Sequence, residues 1–514
     1  MRYGPFIGAL ATLVAAHSSL AADDPVPQIL DHVREATGWS RLKLHPQGVQ
    51  LSGDATMAGT QARYLLLFNE SGSFAQHIQG PIPMSTGFDG QRAWIDDIGG
   101  ERRLLGFGDR EQAIITGLIL THGWLSPAAP LEFKPSEGDD SAASINFALK
   151  GGEISGSITI DRANWLPRAW SYTVAGREYT FTFSGKLELD GITFPAVIER
   201  GGSSGMSMRI TLDKAADAPQ FIRSPFEPVL SPAGDVTFEA SAPAALEIKK
   251  APTGHVLVHP LVDGKDLGWF IFDTGAGSNC IDRRAAEALG VEQFGEIPAV
   301  GVSGITKATL CRPGSLKLGR ATMAKPLMVV LDLAFLDTYM GEKIAGIVGY
   351  GMLHRTIAEI DMEAPAVSLY DPAAFDGSKL AWTTLAIDDR VACVEAEFEG
   401  HKGWFHLDTG AGSSNVQIHA PAVSRLKLLE GRETAPSTQG GVGGMSSARQ
   451  GKLEWFKLGG RRTENVSATF AIESRGAFAT PYTLGNIGGG LVRPFTLVMD
   501  YQGGRIAFIE RTPR

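Results

Sequence analysis

The sequence predicts a mainly β chain, with a β-rich N-terminal domain followed by two related lobes. Three observations carry this. Glycine is abundant, 62 of 514 residues, which favours turns and strands over long helices. Hydrophobic residues at 43% and charged residues at 20% support packed cores, and a chain of this length holds two or three domains. A block of the second half occurs twice. The formal charge of −9 and the lack of any sustained basic run exclude nucleic acid as the main partner, because neutralising phosphates needs clustered Lys and Arg.

Residues 1–22 read as a signal peptide. Arg2 gives a positive start, Phe6 to Ala16 is apolar, and Ser19-Leu20-Ala21-Ala22 offers small residues for cleavage. The apolar run is shorter than the ~20 residues a membrane span needs. Export across an inner membrane into a periplasm is the expectation, with no stable span.

Residues 23–215 form the N-terminal β-rich domain. A short helix opens it, from Ile29 to Thr37. Ala62 to Phe68 and Ser155 to Ile160 alternate as strands. Gly87-Phe88-Asp89-Gly90 is a turn before Ala93-Trp94-Ile95. Asp190-Gly191 joins a strand pair, Glu178 to Leu189 and Phe194 to Arg200, since Asp-Gly is a strong hairpin signal. With Trp165-Leu166-Pro167 before a further strand, this pattern resembles the bacterial lipoprotein-carrier family. That resemblance implies an open, curved sheet and a lipid or lipoprotein partner. The alternative is a β-sheet propeptide or spacer with no ligand. Gly201-Gly202-Ser203-Ser204-Gly205 matches a nucleophile elbow by letter, but Met206 to Leu212 alternates like a strand, so the motif reads as a hairpin turn. Residues 216–250, with five prolines from Pro219 to Pro243, read as a stiff linker.

The repeat occupies the two lobes, residues 251–376 and 377–514. Phe272-Asp273-Thr274-Gly275-Ala276-Gly277-Ser278 recurs as Leu407-Asp408-Thr409-Gly410-Ala411-Gly412-Ser413, 135 residues later. Trp269-Phe270 recurs as Trp404-Phe405. Downstream, Gly301-Val302-Ser303-Gly304 answers to Gly441-Val442-Gly443-Gly444, and Ile347-Val348-Gly349 to Asn486-Ile487-Gly488. Ile360-Asp361 answers to Met499-Asp500, whose carboxylates read as turn residues. A given pentapeptide arises by chance in about one such chain in a few thousand, so the ordered matches mean two lobes about an approximate two-fold axis.

Apolar residues ending in Asp-Thr-Gly describe a strand entering a tight turn, and glycine lets two such loops approach closely. Facing lobes would bring Asp273 and Asp408 together, where two carboxylates share one proton. The ionised one would activate a water and the protonated one would donate to the scissile carbonyl. No metal, cofactor or covalent intermediate is required. The chain lacks a His-Glu-x-x-His motif, and its three Cys, 280, 311 and 393, lack zinc spacing. Cys280 and Cys311 either pair or stay free.

These repeats resemble the pepsin and retropepsin clan of aspartic peptidases, as a fused dimer of retropepsin-like units. The resemblance implies a bilobal fold of double-ψ β-barrel-like lobes, a peptide or protein substrate, and Asp273 and Asp408 as catalytic residues. It implies that Thr274 and Thr409 bond across the axis beside Gly275 and Gly410. It also puts flaps, which close over substrate, at 301–304 and 441–444. A single chain then suffices for catalysis. Asn486 departs from the clan, which places an apolar residue there. His406, two before Asp408, either tunes the pair or is structural. His255 and His259 alone make a poor zinc site. The alternative function is a catalytically silent periplasmic binding protein for peptide, lipid or lipoprotein.

Overall fold

The computed structural model describes residues 25–203, 206–229, 234–302 and 304–511. The signal-peptide reading, Ser204 and Gly205 of the hydrolase-like motif, Pro232 of the linker and Ser303 of the first hairpin tip lie outside the described residues.

The N-terminal domain is a 13-stranded antiparallel sheet made of two meanders. One runs from Val49–Met57 out to Arg102–Leu104, the other from Leu131–Pro135 to Met208–Asp217. Val49–Met57 and Met208–Asp217 join them in the middle, Val49 opposite Asp217. Asp190 and Gly191 have φ of 47° and 80°, the left-handed pair that a tight hairpin between Leu187–Leu189 and Ile192–Phe194 requires. Gly201 ends the strand Val197–Gly201, which pairs antiparallel with Met208–Asp217.

Helix Val26–Thr37 buries Ile29, Leu30 and Val33 on one stripe and ends at Gly38, φ 64°. A second helix, Phe107–Thr121, has no counterpart in the sequence reading. It buries Ala113, Ile114, Ile115, Leu118, Ile119 and Leu120, an almost continuous apolar run. Its physical reason is its site between the sheet and the second lobe, where Gly108 packs on Tyr482 and Gly106 faces the Ile387 carbonyl. Both helices lie in the same apolar core as Trp124, Trp170 and Phe181, and so occupy the apolar face of the sheet.

The lobes repeat one topology. In lobe one, Trp269–Phe272 runs parallel to Ile344–Val348, which pairs antiparallel with Cys280–Asp282. In lobe two, His401–Asp408 runs parallel to Gly485–Gly488, which pairs antiparallel with Val416–Ile418. Each lobe adds a long hairpin, Gln293–Gly301 with Gly304–Cys311 and Ala435–Gly441 with Gly444–Leu458. Lobe two continues its strand to Leu458, while lobe one interrupts the matching path between Cys311 and Ser315. Pro313 sits at that break and has no N–H for a ladder. Ile357–Asp361 of lobe one pairs with Phe495–Asp500 of lobe two in one shared sheet, which fixes the lobes about their axis. Asp361 accepts the Glu363 and Ala364 N–H groups, and Asp500 the Gly503 N–H, as turn carboxylates do. Of the Pro-rich stretch after residue 215, Phe226 packs on the N-terminal domain, its carbonyl accepting the Trp94 Nε1–H at 2.7 Å, and Val236–Phe238 extends the lobe-one sheet through Ala321–Ala324.

The N-terminal domain rests on both lobes. The Glu296 N–H donates to the Ala58 carbonyl at 3.1 Å, and Ile82 packs on Gly295, both in the lobe-one hairpin. Arg177 pairs with Asp389 at 2.7 Å, and Tyr482 donates to Glu111 at 2.8 Å, both toward lobe two. At the centre of the seam Arg355 holds Glu101 and, at 2.7 Å, Asp235. Glu101 is buried, and burial, then the Asp97 charge, push its carboxyl up to about 8 from 4.5. The folded chain therefore binds the extra proton between those values, and stability falls as pH rises through them. Thermal melts between pH 5 and pH 9 are expected to show a falling midpoint, and Glu101→Gln to flatten that fall; an unchanged slope would contradict the assignment.

Candidate active site

Trp269–Phe272 is apolar on both faces because it is an inner strand, with Val256–Val258 on one side and Ile344–Val348 on the other. It delivers Asp273, whose N–H donates to the Val348 carbonyl at 3.0 Å. His401–Asp408 delivers Asp408 the same way in lobe two. The two loops then interlock. Thr274 Oγ1 donates to the Leu407 carbonyl at 2.6 Å and accepts the Thr409 N–H at 3.0 Å. Thr409 Oγ1 donates to the Phe272 carbonyl at 3.0 Å and accepts the Thr274 N–H at 3.1 Å. Both threonines are 1% exposed, so these four hydrogen bonds satisfy six polar groups without water.

This grip presses the carboxylates together. A Cβ on Gly275 would lie 2.5 Å from the Asp408 carboxyl carbon, and one on Gly410 would overlap the Asp273 carboxyl. Only glycine fits either place. Asp273 and Asp408 therefore face each other across the two loops, and burial, then the Asp408 charge, hold the Asp273 carboxyl well above the usual carboxylate range. Gly410→Ala is expected to push the carboxyls apart and reduce any dyad-dependent activity by about 10²-fold or more, read as kcat/KM on a folded variant.

The walls behind the carboxylates differ. Asn486 Nδ2 donates to Asp408 Oδ2 at 2.6 Å and to Gln417 Oε1 at 3.1 Å. In lobe one the strand partners at the matching places are Ile347 and Cys280. The departure at Asn486 is thus a direct partner of Asp408. His406 turns to Asp388 at 3.1 Å and packs near His419, so its bond goes to that carboxylate and not to the pair. His255 Nε2 donates to the Gly410 carbonyl at 2.7 Å while Nδ1 meets Thr253 Oγ1 at 2.7 Å. Burial holds its ring below the usual imidazole range, so the lone donor pattern of a neutral ring fits. The tips of the two hairpins meet. A Cβ on Gly301 would overlap the Val442 carbonyl, and Gly304 lies against Gly443. Val302 packs with Ala471 and Phe478 of lobe two. Cys280, Cys311 and Cys393 are free and buried. Among the described residues no cluster of His, Cys, Asp and Glu could hold a metal ion.

Two stretches, residues 258–352 and 394–486, match the family model described as aspartyl protease, and each carries one Asp-Thr-Gly loop. The two lobes form an aspartic-protease-like region behind a separate N-terminal β domain. A retropepsin-like aspartic protease from Rickettsia conorii is similar at 16% identity, covering 25% of this chain and 91% of its own, with a TM-score of 0.20. A LolA-superfamily protein from Nitrosomonas europaea is similar at 15% identity, covering 38% of this chain and 94% of its own, with a TM-score of 0.28. No curated protein matches the chain. No helix among the described residues is long and apolar enough to cross a membrane.

Within the two lobes, the structure brings together Asp273, Asp408, both threonines and both glycines, and it brings the hairpin strands to each other near their tips. Sequence reasoning missed Gln417 and Tyr501, and weighed His255 only as a zinc ligand. Tyr501 follows the repeated Asp500, and its buried phenol is raised by burial, then by the Asp273 charge, which puts it near the pair. Gln417 had one available signal, its place opposite Asn486 once the repeat is threaded as strands.

Proposed function

We propose that the chain is an aspartic endopeptidase in which Asp273 and Asp408 together activate one water. The observation that carries this reading is the buried carboxylate pair that the interlocked threonine loops press together, each carboxyl lying where a Cβ on the opposite loop's glycine would fall. In the mechanism, the ionised carboxylate takes a proton from water as it attacks the scissile carbonyl carbon. The protonated one donates to the carbonyl oxygen, giving a tetrahedral diol. The proton taken from water then passes to the leaving nitrogen, and the C–N bond breaks as one diol hydroxyl returns its proton to the carboxylate that had donated one. The threonine grip keeps both groups within reach of one water, which converts a three-body encounter into a positioned one. The glycine-tipped hairpins act as flaps that exclude bulk water, a role their contact with each other supports. The N-terminal domain is a fixed part of the enzyme, a reading supported by its bonds to both lobes. Export to a periplasm rests on the leader-like start of the sequence.

The test is cleavage of a denatured protein across the acidic and neutral range, with and without pepstatin. Pepstatin-sensitive cleavage with a bell-shaped pH profile is expected, the alkaline limb marking loss of the proton from Asp273. Cleavage that is blocked by a metal chelator or a serine reagent, and indifferent to pepstatin, would overturn the reading.

A further inference from the structure

We propose that Asn486 is a positioning residue that makes the pair unequal: its amide holds Asp408 as the ionised base and leaves the shared proton on Asp273. This rests on the reading of the pair as a hydrolytic dyad. The two lobes repeat each other closely in backbone, yet the side chains behind the two carboxylates do not. Behind Asp408 stand His406, Gln417 and Asn486. At the matching strand positions behind Asp273 stand Ile271, Cys280 and Ile347. One wall is polar and the other apolar.

The polar wall is built to present a donor. Asn486 is 4% exposed, and its nitrogen has two hydrogens, one for Asp408 Oδ2 at 2.6 Å and one for Gln417 Oε1 at 3.1 Å. The Gln417 contact fixes which end of the amide faces the carboxylate, since Gln417 offers an acceptor there. An N–H donor strengthens as its acceptor gains charge, so it favours the ionised form of Asp408. The apolar wall acts in the opposite sense, because lost hydration favours a neutral carboxyl. It also pushes the Cys280 thiol up to about 12, burial first and the Asp273 charge second.

The other groups facing the pair do not reverse this. The Gly275 N–H donates to Asp273 Oδ1 at 2.8 Å, and the Gly410 N–H also pulls toward an ionised Asp273. Burial and the Asp408 charge outweigh both, and the Asp273 carboxyl stays raised. His255 spends its ring hydrogen on the Gly410 carbonyl, and the Tyr501 phenol keeps its proton. His406 is engaged with Asp388. With the proton on Asp273, the roles are ordered: Asp408 takes the proton from water and Asp273 protonates the carbonyl oxygen.

The experiment is a carboxyl 13C titration of the full chain labelled at aspartate, with the pair assigned through Asp273→Asn and Asp408→Asn. The more acidic step of the pair is expected at Asp408, and Asn486→Leu is expected to raise that step by about one to two pH units. The acid limb of kcat/KM should move the same way. An unmoved step in folded Asn486→Leu, or a more acidic step assigned to Asp273, would overturn the proposal. Should Asn486→Leu not fold, Gln417→Leu keeps the amide but unpins it. That variant should raise the same step by less, and no movement would again overturn the proposal. A titration that moves as expected in a chain that cleaves no peptide would support the Asn486 assignment and remove the endopeptidase reading.

Discussion

Asp408→Asn is expected to lose about 10³-fold or more in kcat/KM on an unfolded peptide substrate, with the fold retained. The amide cannot take a proton from water, whichever of its ends meets the Asn486 donor that now contacts Asp408 Oδ2 at 2.6 Å. Asp273→Asn should lose a comparable amount for the complementary reason. It can accept but no longer supply a proton to the carbonyl oxygen. The two losses should not add in the double variant, because the carboxylates act as one unit. Circular dichroism and thermal melts on each variant separate lost chemistry from lost fold. An Asp408→Asn variant that retains a tenth of wild-type kcat/KM would remove the dyad from the mechanism.

The second large effect concerns stability. Thr274→Val has nearly the shape of threonine but removes a hydroxyl that accepts the Thr409 N–H at 3.0 Å and donates to the Leu407 carbonyl at 2.6 Å. Both partners are backbone groups at the buried axis between the lobes. Leaving a buried polar group unpaired costs about 1–3 kcal/mol, so the variant should lose about 2–5 kcal/mol. Thr409→Val should lose a similar amount, since it releases the Phe272 carbonyl and the Thr274 N–H. Thr→Ser at either place keeps the hydroxyl and should recover most of the loss. The measurement is denaturant unfolding followed by the fluorescence of Trp269 and Trp404, which lie in the two strands entering the loops. A Thr274→Val loss below about 0.5 kcal/mol would mean the grip contributes little.

The repeat was legible in the sequence for a steric reason. A Cβ at Gly275 or Gly410 would strike the opposite carboxylate, so the Asp-Thr-Gly letters are dictated twice and survive as near-identical strings. The lobe-one strand was legible because Trp269-Phe270-Ile271-Phe272 is apolar throughout, and in lobe two Trp404, Phe405 and Leu407 carry the same signal around a polar His406. Asn486 was visible as a departure, but its meaning was not. A polar residue in a backing segment reads as a defect until its neighbour Asp408 is in view. Helix Phe107–Thr121 was not legible, since burial on more than one side erases the amphipathic stripe. The seam was hidden too. Arg355 and Glu101 lie 254 residues apart, and no local pattern announces a pairing between domains. His255 was weighed only as a zinc ligand. Its true partner is a backbone carbonyl, which carries no side-chain signature.

One measurement bears most directly on the claim that a single polypeptide supplies both members of a hydrolytic pair. Asp273→Asn and Asp408→Asn chains are prepared separately, mixed in equal amounts, and assayed beside wild type over a wide dilution series. Wild-type cleavage should stay proportional to protein concentration and be blocked by pepstatin, while the mixture stays as inactive as either variant alone. Activity recovered on mixing, or wild-type specific activity that collapses on dilution, would show that the working pair forms between chains and would contradict the account.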